Sequence, residues 1–153
     1  MKYLNNRAQG VLKYLDNPAY GALILRLALG IMFVSHGWLK LTVFTLAGTV
    51  AFFESLGYPG WFAHLTIFAE LSAGLLLIAG LHARWVALAT IPLLLGAAQA
   101  HFANGWVFSA PGGGWEFPVF LVVAAAAQVF LGNGAYALRL EKRRGLYLAA
   151  LPV

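Results

Sequence analysis

The chain has 153 residues, of which 61% are hydrophobic and 10% charged, with Lys and Arg at 10 against Asp and Glu at 5. A soluble domain carries about 25% charged residues, so lipid rather than water is the expected solvent for most of this surface. The net charge of +5 is not laid out as a basic stripe with interleaved aromatics, which speaks against a nucleic-acid partner, and the lack of Cys excludes disulfides and cysteine-ligated clusters.

Length alone suggests one domain. Within residues 1–17, Leu4, Ala8, Val11, Leu12 and Leu15 form a helical stripe with Lys2, Arg7 and Lys13 around it, the pattern of a segment lying at a membrane interface. It does not read as a cleaved signal: Arg26 interrupts the first apolar run and no small-residue cleavage site follows. Asn17 is suited to cap a helix and Pro18 to open it. A hydrocarbon core of about 30 Å needs about 20 apolar residues per helix. Segments at about 20–41, 62–81, 85–103 and 117–137 meet that requirement.

Residues 42–56 are too short to span and too apolar for a free loop, so they are expected to form an interfacial helix stopped at Gly57. His82-Ala83-Arg84 allows only a tight antiparallel turn, whereas Gly57-Tyr58-Pro59-Gly60 and Pro111-Gly112-Gly113-Gly114 mark longer connections. Residues 18–140 thus form one all-α, four-transmembrane-helix bundle with an additional interfacial helix after the first span, followed by a basic and apolar tail at 141–153. Lys2, Arg7, Lys13, Arg84, Arg139, Lys142, Arg143 and Arg144 all fall at one side. The positive-inside rule puts that side, with both termini, in the cytoplasm. Trp38, Trp61, Trp106 and Trp115 then collect near the outer boundary as an aromatic belt.

The chain resembles the DoxX family of small bacterial membrane proteins. The likeness rests on Arg26-Leu27-Ala28-Leu29-Gly30, Ser35-His36-Gly37-Trp38-Leu39-Lys40-Leu41 and Phe52-Phe53-Glu54-Ser55-Leu56-Gly57-Tyr58-Pro59. It continues with Glu70-Leu71-Ser72-Ala73-Gly74, Gly80-Leu81-His82-Ala83-Arg84, His101-Phe102-Ala103-Asn104-Gly105-Trp106 and Gly113-Gly114-Trp115-Glu116-Phe117-Pro118. The resemblance implies a four-helix bundle in the bacterial cytoplasmic (inner) membrane. It further implies a link to quinone-coupled oxidation of sulfur compounds, to oxidative stress and to membrane redox complexes.

Ionisable residues inside a span are costly and face a bundle interior or cavity. By depth, Arg26 and Glu70 come within about 9 Å of each other, and an Arg26–Glu70 ion pair locking the first span to the second is the expected contact. A second polar group gathers at the outer face. His36, Lys40, Glu70, His101 and Glu116, with Trp38 and Trp106, are the candidate lining of a ligand pocket, and Glu54 and His64 lie at or beyond that level. No H-x-x-x-H, E-x-x-H or H-x-H spacing occurs, so no metal is expected. A quinone headgroup fits better, since it needs hydrogen-bonding side chains between aromatic walls. Gln99 and Gln128 are expected as interhelical hydrogen bonders. On an ideal helix Gln99 and His101 are about 200° apart, so only one of them faces the interior.

No other cofactor is evident, and no serine triad, nucleotide loop or redox-metal motif makes a self-contained enzyme. The leading reading is therefore a membrane subunit or partner of a quinone-linked redox system, embedded in the lipid bilayer and acting with a redox partner protein. A small transporter is the alternative, with Arg26, Glu70 and the glutamines lining a path and two such bundles pairing as a homodimer. A structural scaffold without ligand is the third reading.

Overall fold

The protein was analysed as a computed structural model that describes residues 16–141 and 145–148, with side chains described through Leu138. The amphipathic stripe expected before Asp16 and most of the expected tail lie outside the described residues. Five α-helices make up the body: α1 (Pro18–Thr42), α2 (Leu46–Ser55), α3 (Trp61–Ala79), α4 (Ala83–Ala100) and α5 (Glu116–Leu131), with a 3₁₀ turn at Phe102–Asn104. An antiparallel hairpin of β1 (Leu138–Glu141) and β2 (Gly145–Leu148) follows, with Leu138 opposite Leu148. The chain is thus an all-α membrane protein with a small terminal hairpin.

Each helix starts and stops for a local reason. Asn17 accepts a hydrogen bond from the Ala19 amide at 2.9 Å, and Pro18 holds the first turn of α1. Thr45 caps α2 through the Gly48 amide. Gly57 and Gly80, both left-handed, end α2 and α3, a conformation that glycine adopts without steric cost. Among the described residues, α1, α3 and α4 are long and apolar enough to cross a membrane. The expected last segment, 117–137, is shorter as a helix: α5 has 16 residues, about 24 Å, because Gly132 and Gly134 turn left-handed and end it. Residues 132–137 instead return against the start of α1, where the Ala135 amide donates to Ala19 O at 2.9 Å.

The helices associate as two close pairs, α1 with α3 and α4 with α5, and the pairs meet less extensively. Lipid gives apolar side chains no hydrophobic reason to leave it, so helix pairing there depends on close backbone approach through small residues. The α1–α3 seam is built this way. A Cβ on Gly30 would stand 2.9 Å from Gly74 O, one on Gly74 would stand 2.7 Å from Gly30 O, and one on Gly37 would meet Leu71 at 2.9 Å. On α4 and α5, Ala83, Ala87, Ala124 and Ala125 serve the same purpose, packed with Leu29, Phe33, Leu77 and Leu94 into one core.

The end of the bundle holding the α3–α4 turn (the turn end) is closed by Arg26, which is 1% exposed. Its Nη1 donates to Leu77 O at 2.8 Å and Ile78 O at 2.7 Å, and its Nη2 donates to Ala135 O at 3.0 Å. Those carbonyls lie in the last turn of α3, where regular intrahelical donors run out and the negative end of the helix dipole falls, although Leu77 O also accepts from the Gly80 amide at 3.1 Å. Arg26 therefore ties α1, α3 and the segment after α5 together. Gly80 makes room for it, because a Cβ there would lie 2.6 Å from Nη1.

Substituting Gly74 with Val forces the α1 and α3 backbones apart and is expected to cost about 1–3 kcal/mol. Gly96, where an added Cβ would have nothing within 4 Å, provides the control: Gly96→Ala leaves stability unchanged or slightly raised through helix propensity. Thermal unfolding in detergent, followed by tryptophan fluorescence, separates the two; equal melting temperatures for both variants would contradict the seam.

Candidate functional site

At the opposite end (the loop end), α2 and the 101–115 connection cover the gap between the two helix pairs. A cavity of about 560 Å³ lies there, lined by Met32, Phe33, His36 and Lys40 of α1, Glu70 of α3, Leu94 and Ala97 of α4, and His101. Phe108, Gly113 and Gly114 from the connection, and Phe117, Pro118 and Leu121 of α5, complete its wall. A second cavity of about 260 Å³ lies beneath α2, with Phe53, Tyr58, Phe62, Thr66 and Pro92 in its wall. The two share Phe33, Lys40, Glu70, Leu94, Ala97 and His101, so the charged pair stands where they adjoin.

That pair is Lys40 with Glu70, Nζ donating to Oε1 at 2.7 Å and to Oε2 at 2.9 Å. The expected Arg26–Glu70 contact is not formed. The seam register puts Glu70 near the level of His36 and Arg26 near that of Gly80. Direction then decides the partner, because helical Cα–Cβ bonds tilt toward the helix N-terminus. Along antiparallel α1 and α3, Arg26 leans to the turn end while Glu70 leans to the loop end, so the two diverge. Lys40, one turn beyond His36, leans back toward Glu70 and meets it. Depth by itself pointed to the wrong cation; side-chain direction, available from the same sequence, points to Lys40.

His36 and His101 both line the larger cavity, each held through Nδ1. His36 Nδ1 donates to Met32 O in its own helix at 2.9 Å, and its ring stacks on Phe117 with centroids 6.3 Å apart. His101 Nδ1 donates to Gly112 O at 3.0 Å. Asn104 Nδ2 donates to Gly112 O at 3.0 Å and to Gly113 O at 2.8 Å, which fixes the same stretch of the connection over the cavity. Glu116 does not line the cavity. Its Oε1 accepts from the Phe108 amide at 2.7 Å and pins the connection.

Trp38 and Trp106 are exposed and stand outside the cavity wall; Trp106 instead makes an edge contact with Trp115 at 4.4 Å. His64 and Glu54 are exposed as well. Among the described residues no three His, Asp or Glu side chains converge as metal ligands.

Of the pair Gln99 and His101, His101 faces the interior and Gln99 is exposed. Neither glutamine acts as an interhelical hydrogen bonder. Gln128 is fully buried, but its Nε2 donates to Gly132 O at the end of its own helix, because the left-handed turn at Gly132 leaves that carbonyl within reach. Phe33, Leu94 and Leu121, which supply much of the apolar wall, carry no distinguishing sequence signal among so many apolar residues. Only their helical spacing relative to His36 and His101 could have placed them.

The family model described as DoxX matches residues 21–110. The chain is 35% identical over 88 residues to "Inner membrane protein YqjF" of Escherichia coli (strain K12), covering 56% of this chain and 66% of that protein. It is 38% identical over 77 residues to "Putative oxidoreductase CatD" of Bacillus subtilis (strain 168), covering 50% of this chain and 56% of that protein. The chain thus spans somewhat under two thirds of the length of these curated relatives. No solved structure matches.

Lys40 and Glu70 have side chains only 20% and 10% exposed, so removing one strands the other's charge. Lys40→Ala or Glu70→Ala alone is expected to cost on the order of 3 kcal/mol, and the double variant much less than the sum. A double-mutant cycle in detergent should therefore show strong coupling between Lys40 and Glu70, and coupling below about 0.5 kcal/mol between Arg26 and Glu70. The reverse pattern would restore the Arg26 pairing.

Proposed function

The chain belongs to the DoxX family of membrane proteins, and from that premise we propose that it is the membrane subunit or partner of a quinone-linked redox system in a bacterial inner membrane. The observation that carries this reading is the loop-end chamber. A ring-shaped headgroup needs apolar walls and a few fixed polar groups in a cavity of about 300–1,000 Å³. Phe33, Leu94, Phe117 and Leu121 supply the walls, and His36, His101 and the Lys40–Glu70 pair supply the polar groups. The adjoining cavity beneath α2 offers an apolar slot in which a lipid tail can continue. The names of the two relatives, "Inner membrane protein YqjF" and "Putative oxidoreductase CatD", agree with this reading.

The chain's own residues would bind and orient the headgroup and keep water from it, while the electron chemistry belongs to the quinone and to a partner protein. The apolar cluster of Leu29, Phe33, Leu77, Ala87, Leu94 and Ala125 runs from the chamber wall, which Phe33 and Leu94 line, to Leu77, whose carbonyl Arg26 holds. That cluster weighs against a permeation path through the bundle and for a blind-ended site. Arg84, at the α3–α4 turn, and the bases that the sequence carries before Pro18 and after Leu138 support placing the turn end in the cytoplasm, with the chamber opening toward the outer leaflet.

Purified protein in lipid nanodiscs is expected to bind a short-chain quinone saturably, in one redox state or the other. Leu94→Trp, which fills a position lining both cavities, should weaken that binding at least tenfold with the fold retained. Absence of saturable binding in the unaltered protein would refute the reading. For orientation, the lack of native Cys permits single-cysteine labelling in intact cells with a membrane-impermeant maleimide. Ser109→Cys should label at once and Asp16→Cys only after permeabilisation; the opposite result would invert the proposed topology.

A further inference from the structure

The chamber holds two imidazoles whose donor capacity is already used. His36 Nδ1 is 2.9 Å from Met32 O and His101 Nδ1 is 3.0 Å from Gly112 O. A carbonyl can only accept, so each neutral ring carries its proton on Nδ1 and is left with Nε2 as a bare acceptor. Among the described residues no protein group donates to either Nε2. The one cation of the chamber is largely committed as well: Lys40 Nζ donates to both carboxylate oxygens of Glu70, which leaves one N–H of three. Glu70 keeps further lone pairs. The polar inventory facing a ligand is therefore rich in acceptors and poor in donors.

Resting on the quinone reading above, we propose that the chamber is selective for the reduced head, an aromatic ring bearing two hydroxyls, over its dicarbonyl form. Each hydroxyl has a proton to give to an imidazole Nε2. A carbonyl oxygen at the same place would bring two acceptors face to face after both had lost water, leaving each unsatisfied. The acceptors cannot turn to compensate. The His36 ring is held by Met32 O and by stacking on Phe117, and His101 is tied to the Gly112 carbonyl that Asn104 also holds.

The test is anaerobic titration of the full chain in nanodiscs with decylubiquinol and, separately, decylubiquinone at pH 8. The quinol is expected to bind at least tenfold more tightly, which raises the midpoint potential of the bound two-electron couple by about 30 mV. His36→Phe keeps a ring against Phe117 and removes one acceptor, so the quinol-to-quinone affinity ratio should fall severalfold. Equal affinities, or a preference for the quinone, would overturn the selectivity and leave the binding site standing. No saturable binding of either form would overturn both. The ratio for the unaltered protein decides the matter even if the variant does not fold.

Discussion

The structure depends on the contact of two backbones where Gly30 of α1 crosses Gly74 of α3. In lipid the hydrophobic effect does not press helices together, so the pair is held by short-range packing and by polar groups that have no water to turn to. The seam brings these polar groups into register at both ends. At the turn end Arg26 reaches the last carbonyls of α3; at the loop end Lys40 reaches Glu70. A methyl group at either glycine would shift both clasps at once. The polar contacts thus follow from the glycine register and cannot be understood one residue at a time.

The same economy explains the chamber. Two tight pairs that meet less extensively leave space wherever side chains from facing helices fail to interdigitate. Toward the turn end that space is filled by Leu29, Leu77, Ala87 and Ala125. Toward the loop end the wall residues are held back: His36 lies along Phe117, Lys40 is drawn to Glu70, and His101 is tied to Gly112. Each polar side chain near the opening is occupied by a neighbour, so the volume between them remains available. The connection at 101–115 is itself built for rigidity, with Asn104, His101 and Glu116 all spending hydrogen bonds on its backbone.

Arg26 and Glu70 show how similar sequence signals can part company. Both are ionisable residues within apolar helices, and either could be expected to find the other. Arg26 instead serves a helix terminus and Glu70 serves a cavity. The arginine's planar fork suits several carbonyls at once, and a carboxylate, which only accepts, needs a donor. Their separation puts a group bound to helix-end carbonyls at one end of the bundle and a cavity-lining ion pair at the other.

The sequence by itself determined the solvent of this protein, its helical class and, to within a few residues, its helix starts. Those properties are set locally: apolar run length decides what can cross lipid, and Asn17, Pro18, Gly57 and Gly80 act on the backbone next to them. It also grouped His36, Lys40, Glu70, His101 and Glu116, with Trp38 and Trp106, since depth along a helix follows from residue number. Only the tertiary structure decided which cation meets Glu70, that His101 rather than Gln99 faces inward, and that Trp38, Trp106 and Glu116 stay outside the chamber. Those outcomes depend on helix rotation and on the pairing of α1 with α3 and α4 with α5. Rotation and pairing are fixed by packing between residues far apart in the chain, where many apolar side chains offer nearly equivalent faces.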